Sequence, residues 1–425
     1  MTSRSPDAVA QQAGLREQAN AEALERMWAA EPVLVDVRPA IEVVPGLTPA
    51  TVLTSGAPLS WEEYFGGQRS GVIGGALSEG LAEDAEEADE RIRTGRIRVA
   101  TCHEHGCVGS LAGIYTASMP VFVVENAKGG NRAFCNLFEG PSPARLNYGV
   151  YNEAVRESLG FIADVVGPVL GEAVRAAGGV PLRPIVRRAL HMGDELHSRN
   201  TAATLLFTRD LFPTLLDLAA EQGDDVRRTL EYLSSSDYFF LRLSMASSKA
   251  TADAAHGVEG SSIVSAMTFN CRNFSIKASG LGDTWFDAPM PTMEPKLFDG
   301  YTKEDVEYMG GESVINETIG LGGFAQAAAF PLQEYQGGSA ERMVETNLQM
   351  YEITAGEHPE FKIPFFGFRG VPSGIDAYRV VETGITPAMD IGVAGRGGGQ
   401  IGAGTLRAPL ACFEQAVEEH RRRYP

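Results

Sequence analysis

The sequence predicts a multidomain protein mixing α/β and α+β architecture: an N-terminal α/β domain (1-148), a central helical domain (149-258) and a C-terminal α+β domain (259-425) with a glycine-rich loop. Three observations lead there. Short apolar runs alternate with turns in the first third, the apolar period becomes helical in the middle, and strand-like pairs then return ahead of a glycine-dense run. At 425 residues and 44% hydrophobic content, the chain can fill two or three cores.

The segment from Asp7 to Ala30 reads as an amphipathic helix stopped by Pro32, and Val33 to Pro39 (VLVDVRP) as a buried strand. Thr51 to Gly56, Ile97 to Cys102 and Met119 to Ala127 are strand-like, whereas EGLAEDAEEADERIRTG reads as a helix with a solvated acidic face. From Tyr151 to about Val258 the pattern is helical, with Val155, Leu159, Ile162, Val166 and Leu170 on one stripe. Beyond Gly260, SIVSAMTFN and FSIKASG read as neighbouring strands, a proline-rich turn section follows, and a helix closes the chain from about Pro409 to Arg422.

Lys and Arg total 36 against 55 Asp and Glu, a formal charge of -19 that repels a phosphate backbone and an anionic leaflet alike. Nucleic acid and membrane are therefore excluded as partners. A small anion is not, because local arginines and backbone dipoles set the potential inside a cleft. The five dispersed cysteines argue against a disulfide framework and for a reducing compartment. The first thirty residues have no basic region followed by an apolar core, and no stretch reaches the length of a membrane span, so a cytoplasmic location is expected.

Gly397, Gly399 and Gly402 satisfy G-x-G-x-x-G, but a dinucleotide site needs a βαβ unit and a later acidic residue, and only one helix remains. No Walker A loop, Gly-x-Ser-x-Gly or Ser-x-x-Lys occurs. What the glycine run offers is bare backbone: Gly397, Gly398, Gly399, Gly402 and Gly404 can turn successive N–H groups toward one small anion. Glu382, Thr383, Gln400, Thr405 and Arg407 stand beside it as hydrogen-bonding groups. A loop of no chemical consequence is the plain alternative.

TCHEHGC puts Cys102, His103, His105 and Cys107 close together at a strand end. Adjacent positions on an extended segment point to opposite sides, so His103 and His105 suit acid, base or hydrogen-bond roles better than a metal. No cofactor is predicted, and a metal is an alternative without support. In HMGDELHSRN, read as helical, His191 would meet Glu195 and Asp194 would meet His197, with Arg199 and Asn200 following; a capped, solvated helix end explains the cluster equally well. In GGNRAFCN, directly after the strand bearing Asn126, Asn131 and Arg132 could present an amide and a guanidinium fork to a carboxylate, or Arg132 could simply be exposed on a turn.

The motifs CHEHGCVGSLAG, ASMPVFVVEN, GNRAFCNLFEG, MGDELHSRN, SGLGDTWFDAP and VVETGITP followed by GQIGAGTLRAPLACFEQA resemble the AllG (YlbE-like) family, from about Val35 to Ala416. The resemblance implies one subunit of a three-component oxamate carbamoyltransferase of anaerobic allantoin breakdown. That activity moves a carbamoyl group between oxalurate and phosphate, giving oxamate and carbamoyl phosphate. Companion subunits, a homo-oligomer or both are then expected, with a small ureido acid and phosphate as ligands. Asn131, Arg132, Gly193, Asp194, Glu195, His197, Arg199, Asn200, Glu382, Thr383 and Gly399 to Thr405 match the family pattern, and Cys102, His103 and His105 fit it, whereas Glu104 and Ser110-Leu111 depart from it.

The roles expected from this combined reading are phosphate on the glycine backbone with Arg407, a substrate carboxylate on Arg132 with Asn131, and His103 or His197 as donor to the carbamoyl group, held in tautomer by Glu195 or Asp194. A non-catalytic subunit of the same complex, and a standalone transferase or amidohydrolase acting on another ureido or cyclic amide compound, are the two rivals.

Overall fold

The computed structural model describes residues 6-291 and 295-425. The opening helix Pro6–Ala29 leads into β1 (Pro32–Pro39), then β2 (Thr51–Thr54), the helices Gly66–Ser78 and Ala85–Arg93, and β3 (Arg98–Thr101). Ala85–Arg93 starts where Asp84 accepts a hydrogen bond from the Glu87 amide, so the expected acidic helix is capped by its own sequence. β2 and β3 pair in parallel across these helices. β4 (Pro120–Asn126) and β5 (Arg132–Asn136) form an antiparallel hairpin that extends β1, and β6 (Val180–Pro181) completes the order β5-β4-β1-β6.

The middle of the chain is helical, as Glu153–Phe161, Gly167–Ala176, Leu182–His191, Thr201–Ser234 and Leu241–Ala254. These helices do not enclose a core of their own. Gly167–Ala176 packs on β1 and Leu241–Ala254 on β4 and β5. One apolar cluster runs from Ala23 and Leu24 through Phe122, Leu170, Phe207 and Leu243 to Ile319, Phe361 and Val371, so it draws on all three segments read from the sequence. A helical stripe specifies which face is buried, not which surface buries it.

After Gly260 the chain forms the antiparallel meander β7 (Val264–Phe269), β8 (Asn273–Ala278) and β9 (Phe286–Pro289), followed by β10 (Lys296–Leu297). The helix Ala340–Glu352 precedes the hairpin β11 (Thr354–Ile363) and β12 (Arg369–Ile375). The helix Ala377–Thr383 precedes β13 (Ala388–Ala394) and β14 (Gln400–Arg407), and Leu410–Arg423 ends the chain. A second core joins Met267, Ile276, Met389, Leu406 and Phe413 beneath that last helix.

The glycine-rich segment is a β-hairpin whose ladder takes up Gly402 and Gly404 and leaves Gly397, Gly398 and Gly399 at its tip. Ala388 faces Arg407, Ile391 faces Gly404 and Val393 faces Gly402, while Gly402 and Ala403 also pair with β10. Ladder pairing takes the backbone of Gly402 and Gly404, which is then not available to an anion. The glycines answer steric crowding instead: a Cβ on Gly402 would stand 2.7 Å from the Lys296 carbonyl oxygen.

Candidate functional site

A cavity of about 500 Å³ opens where the three sequence segments meet. Its walls include Ser110 and Arg145, His197, Ser234 to Arg242 in part, Gly310 and Gly311, Tyr335, Gly392 and Gln400. His197 arrives on a loop. The expected helix over 191-200 ends at His191, because Gly193 adopts φ +100° and Leu196 φ +72°, both incompatible with a continuing right-handed helix. His191 turns away onto the Phe368 ring, 5.3 Å between centroids, and the predicted His191–Glu195 and Asp194–His197 pairs do not form.

Glu195 instead pins this loop from inside, accepting the backbone N–H of His197 (3.2 Å), Ser198 and Arg199 (2.9 Å). Burial, with Asp390 nearby, pushes its carboxyl well above the usual range. Asp194 accepts the Ala203 amide at 2.8 Å and is pushed up to about 6 by burial. Arg199 donates to the Gly193 carbonyl at 3.0 Å, and Asn200 to the His197 carbonyl at 2.9 Å. Both residues line a recess of about 140 Å³ that shares Tyr238 and Tyr335 with the main cavity.

The His197 ring is held by a residue that sequence reading did not single out. Its Nδ1 lies 2.7 and 3.0 Å from the two oxygens of Glu317, which also accepts the backbone N–H of Gly323 and Asp390, each at 3.0 Å. Burial disfavours the imidazolium, but Glu317 outweighs it and the His197 pKa ends above its ordinary value. Nε2 makes no hydrogen bond among the described residues, and His197 lines the cavity. Behind the pair, Asp390 accepts from Gln326 (2.6 Å) and Thr405 (3.3 Å), and burial together with Glu317 pushes it up to about 6.

Arg242 and Arg145 carry positive charge to the cavity, and neither forms an ion pair among the described residues. Arg242 is 4% exposed; its Nη1 donates to Asn136 Oδ1 at 3.2 Å and its buried Nε has no partner. Arg145 donates from Nε to the Ser142 carbonyl at 2.7 Å, and its guanidinium lies over Phe138 (5.1 Å) and Tyr148 (4.7 Å). Gln400 donates to the Tyr335 hydroxyl and to the Gly402 carbonyl.

The other sequence candidates lie elsewhere. His103 and His105 occupy the short turn Cys102–His105, buried and outside the cavity walls. His105 Nδ1 meets the Pro45 carbonyl at 2.6 Å. His103 sits 3.9 Å from Glu312 with both ring nitrogens unpartnered, and burial pushes its pKa well below the ordinary value. Asn126 accepts the Glu31 and Lys128 amides and donates to Asn131, which donates to the Ala250 carbonyl. Arg132 closes its fork on Glu125 at the surface, with Nε and Nη2 2.9 and 2.8 Å from one oxygen. The expected pairing of Arg132 and Asn131 on a substrate carboxylate is thus replaced by bonds that shape the β4-β5 turn.

Glu382 and Thr383 are exposed at the end of the helix Ala377–Thr383. Arg407 donates to the Thr386 carbonyl (2.8 Å) and Gln349 (2.5 Å), and it does not line the cavity. Gly397, Gly398 and Gly399 form the hairpin tip, and Gly404 lies in the ladder. Among the described residues no group of three or more His, Cys, Asp or Glu could hold a metal ion, and no helix is long and apolar enough to cross a membrane.

A family profile described as "Oxamate carbamoyltransferase subunit AllG" matches residues 97-313. The chain is 40% identical over 406 residues to the Escherichia coli oxamate carbamoyltransferase subunit AllG, covering 94% of this chain and 96% of that one. The chain belongs to the AllG family. Another family relative, the uncharacterized E. coli protein YahG, is 42% identical over 401 residues, covering 94% of this chain and 84% of YahG. A conserved protein of unknown function from Enterococcus faecalis V583 superposes with a TM-score of 0.94 at 37% identity, covering 97% and 99% of the two chains.

Arg145, Arg242, Glu317 and Asp390 escaped sequence reading. Three of them carried a signal all the same: Arg242 in LRLSMA, Glu317 in SVINETIGLGG and Asp390 in AMDIGVAG are lone charges in apolar runs. A charge buried in such a run needs a partner or a ligand.

Proposed function

We propose that the chain is a carbamoyltransferase subunit that works with companion chains, and that its His197 cavity takes a ureido acid of the oxalurate type together with phosphate. The observation that carries this reading is the His197–Glu317 pair at a polar cavity wall, with Nε2 uncommitted. A phosphate oxygen attacks the carbamoyl carbon and the bond from that carbon to the imide nitrogen breaks. The departing nitrogen takes a proton from His197 Nε2–H, so oxamate leaves and the carbamoyl group stays on phosphate. Glu317 fixes the tautomer and stabilises the imidazolium.

The E. coli relative AllG is a subunit of oxamate carbamoyltransferase, which favours assay in the presence of companion chains. The test is phosphorolysis of oxalurate, followed by oxamate and carbamoyl phosphate formation, with this chain alone and with its companions. In the active assembly His197→Gln should lower kcat by about 10²- to 10⁴-fold. An assembly carrying that variant at the wild-type rate would remove His197 from the chemistry and favour a supporting subunit.

A further inference from the structure

In a chain of formal charge -19, two arginines that face one cavity without an ion-pair partner among the described residues are unusual company. Burying a guanidinium without a carboxylate is costly unless a ligand supplies the charge. Among the described residues, only one carboxylate, the exposed Asp237, stands in the cavity walls. We propose that Arg242 and Arg145 form a two-point anion clamp, Arg242 gripping a planar carboxylate of an oxo-acid amide and Arg145 gripping inorganic phosphate. The identity of the two ligands rests on the carbamoyl-transfer reading; the existence of an anion site rests on the arginines alone.

The geometry divides the labour. Asn136 takes Nη1 of Arg242 and the Cys135 thiol lies within hydrogen-bond reach of the same guanidinium, yet no carboxylate pairs with it among the described residues, and its planar fork matches a carboxylate better than any point charge does. Because Arg242 is buried, that bond forms in a dry environment and discriminates strongly. Arg145 is half-buried, its Nε committed to the Ser142 carbonyl while Phe138 and Tyr148 hold the guanidinium plane. Its two free Nη groups suit an exchangeable tetrahedral anion. A carboxylate on one arginine and phosphate on the other would bracket the carbamoyl carbon near His197.

Calorimetric titration of the full chain with oxamate and, separately, with inorganic phosphate tests the clamp. We expect Arg242→Gln to weaken oxamate about 10- to 100-fold and phosphate less than threefold, and Arg145→Gln to do the reverse. Arg242→Lys keeps the charge without the fork and should weaken oxamate about tenfold, with an unchanged thermal melt showing that the fold survives. No binding of either anion to the wild-type chain at millimolar concentration overturns the clamp, as does equal weakening of both anions by both variants. Selective, arginine-dependent binding with no oxalurate turnover in the full assembly upholds the clamp and sinks the transfer reading. Turnover undiminished by Arg242→Gln does the opposite.

Discussion

At the scale of residues, the acidity of His197 is set by Glu317. Its folded pKa lies above the ordinary 6.5, so its stabilising contribution is complete below 6.5 and is lost as pH rises through the raised value. Activity that needs the imidazolium should fall over the same interval. Glu317→Gln removes the attraction and leaves burial acting alone, so the fall should move to lower pH, read as a pH–rate profile or by NMR titration of the ring. An unmoved midpoint would show that Glu317 only packs.

Asp390 has the opposite consequence. Its folded pKa, pushed up to about 6 from 3.8, means that ionisation costs stability; the cost is absent below 3.8 and complete above 6. Asp390→Asn should therefore gain roughly 1–3 kcal/mol on the wild type between pH 4 and pH 7 in urea unfolding. A difference that does not change with pH would place the charge outside the folded-state balance. Sequence reading reached His197, Gln400 and Thr405, polar residues crowded within motifs. It did not reach Glu317 or Arg242, because their partners lie 120 and 106 positions away and no local spacing encodes such contacts.

At the scale of elements, the glycine run shows why composition misleads. A nest and a tight hairpin tip both want residues that tolerate positive φ, and only strand pairing separates them. Gly398 adopts φ +88°, and a Cβ there would stand 2.8 Å from Val150 Cγ2. Gly398→Ala should cost about 1–3 kcal/mol of stability while leaving phosphate affinity of the folded protein unchanged. A nest would give the reverse, lost phosphate with little lost stability. The strands themselves were legible wherever β-branched runs met turns, as β1, β4, β7 and β8 attest. The loop from Met192 to Asn200 was not, since its charged residues suit a helix and only Gly193 and Leu196 break it.

At the scale of the whole molecule, the three segments read from the sequence share their interior. The main core takes Ile315, Ile319, Leu321, Phe361 and Val371 from beyond residue 258, and the opening helix packs on β11, β12 and Leu241–Ala254. A fragment of residues 1-258 would leave those apolar surfaces facing water with nothing to replace them. It should bind a hydrophobic dye and melt broadly, whereas the full chain should unfold in one cooperative step by calorimetry. The cavity makes the same demand, since its walls come from Ser110 and Arg145, from His197 and Arg242, and from Gly310, Tyr335 and Gln400. Neither 1-258 nor 259-425 should then hold oxamate or phosphate, even if one retains helical signal. Two separate melting transitions in the full chain, each reproduced by its fragment, would mean that the core is shared only in contact and not in stability, and the cavity would have to be treated as an interface between independent units.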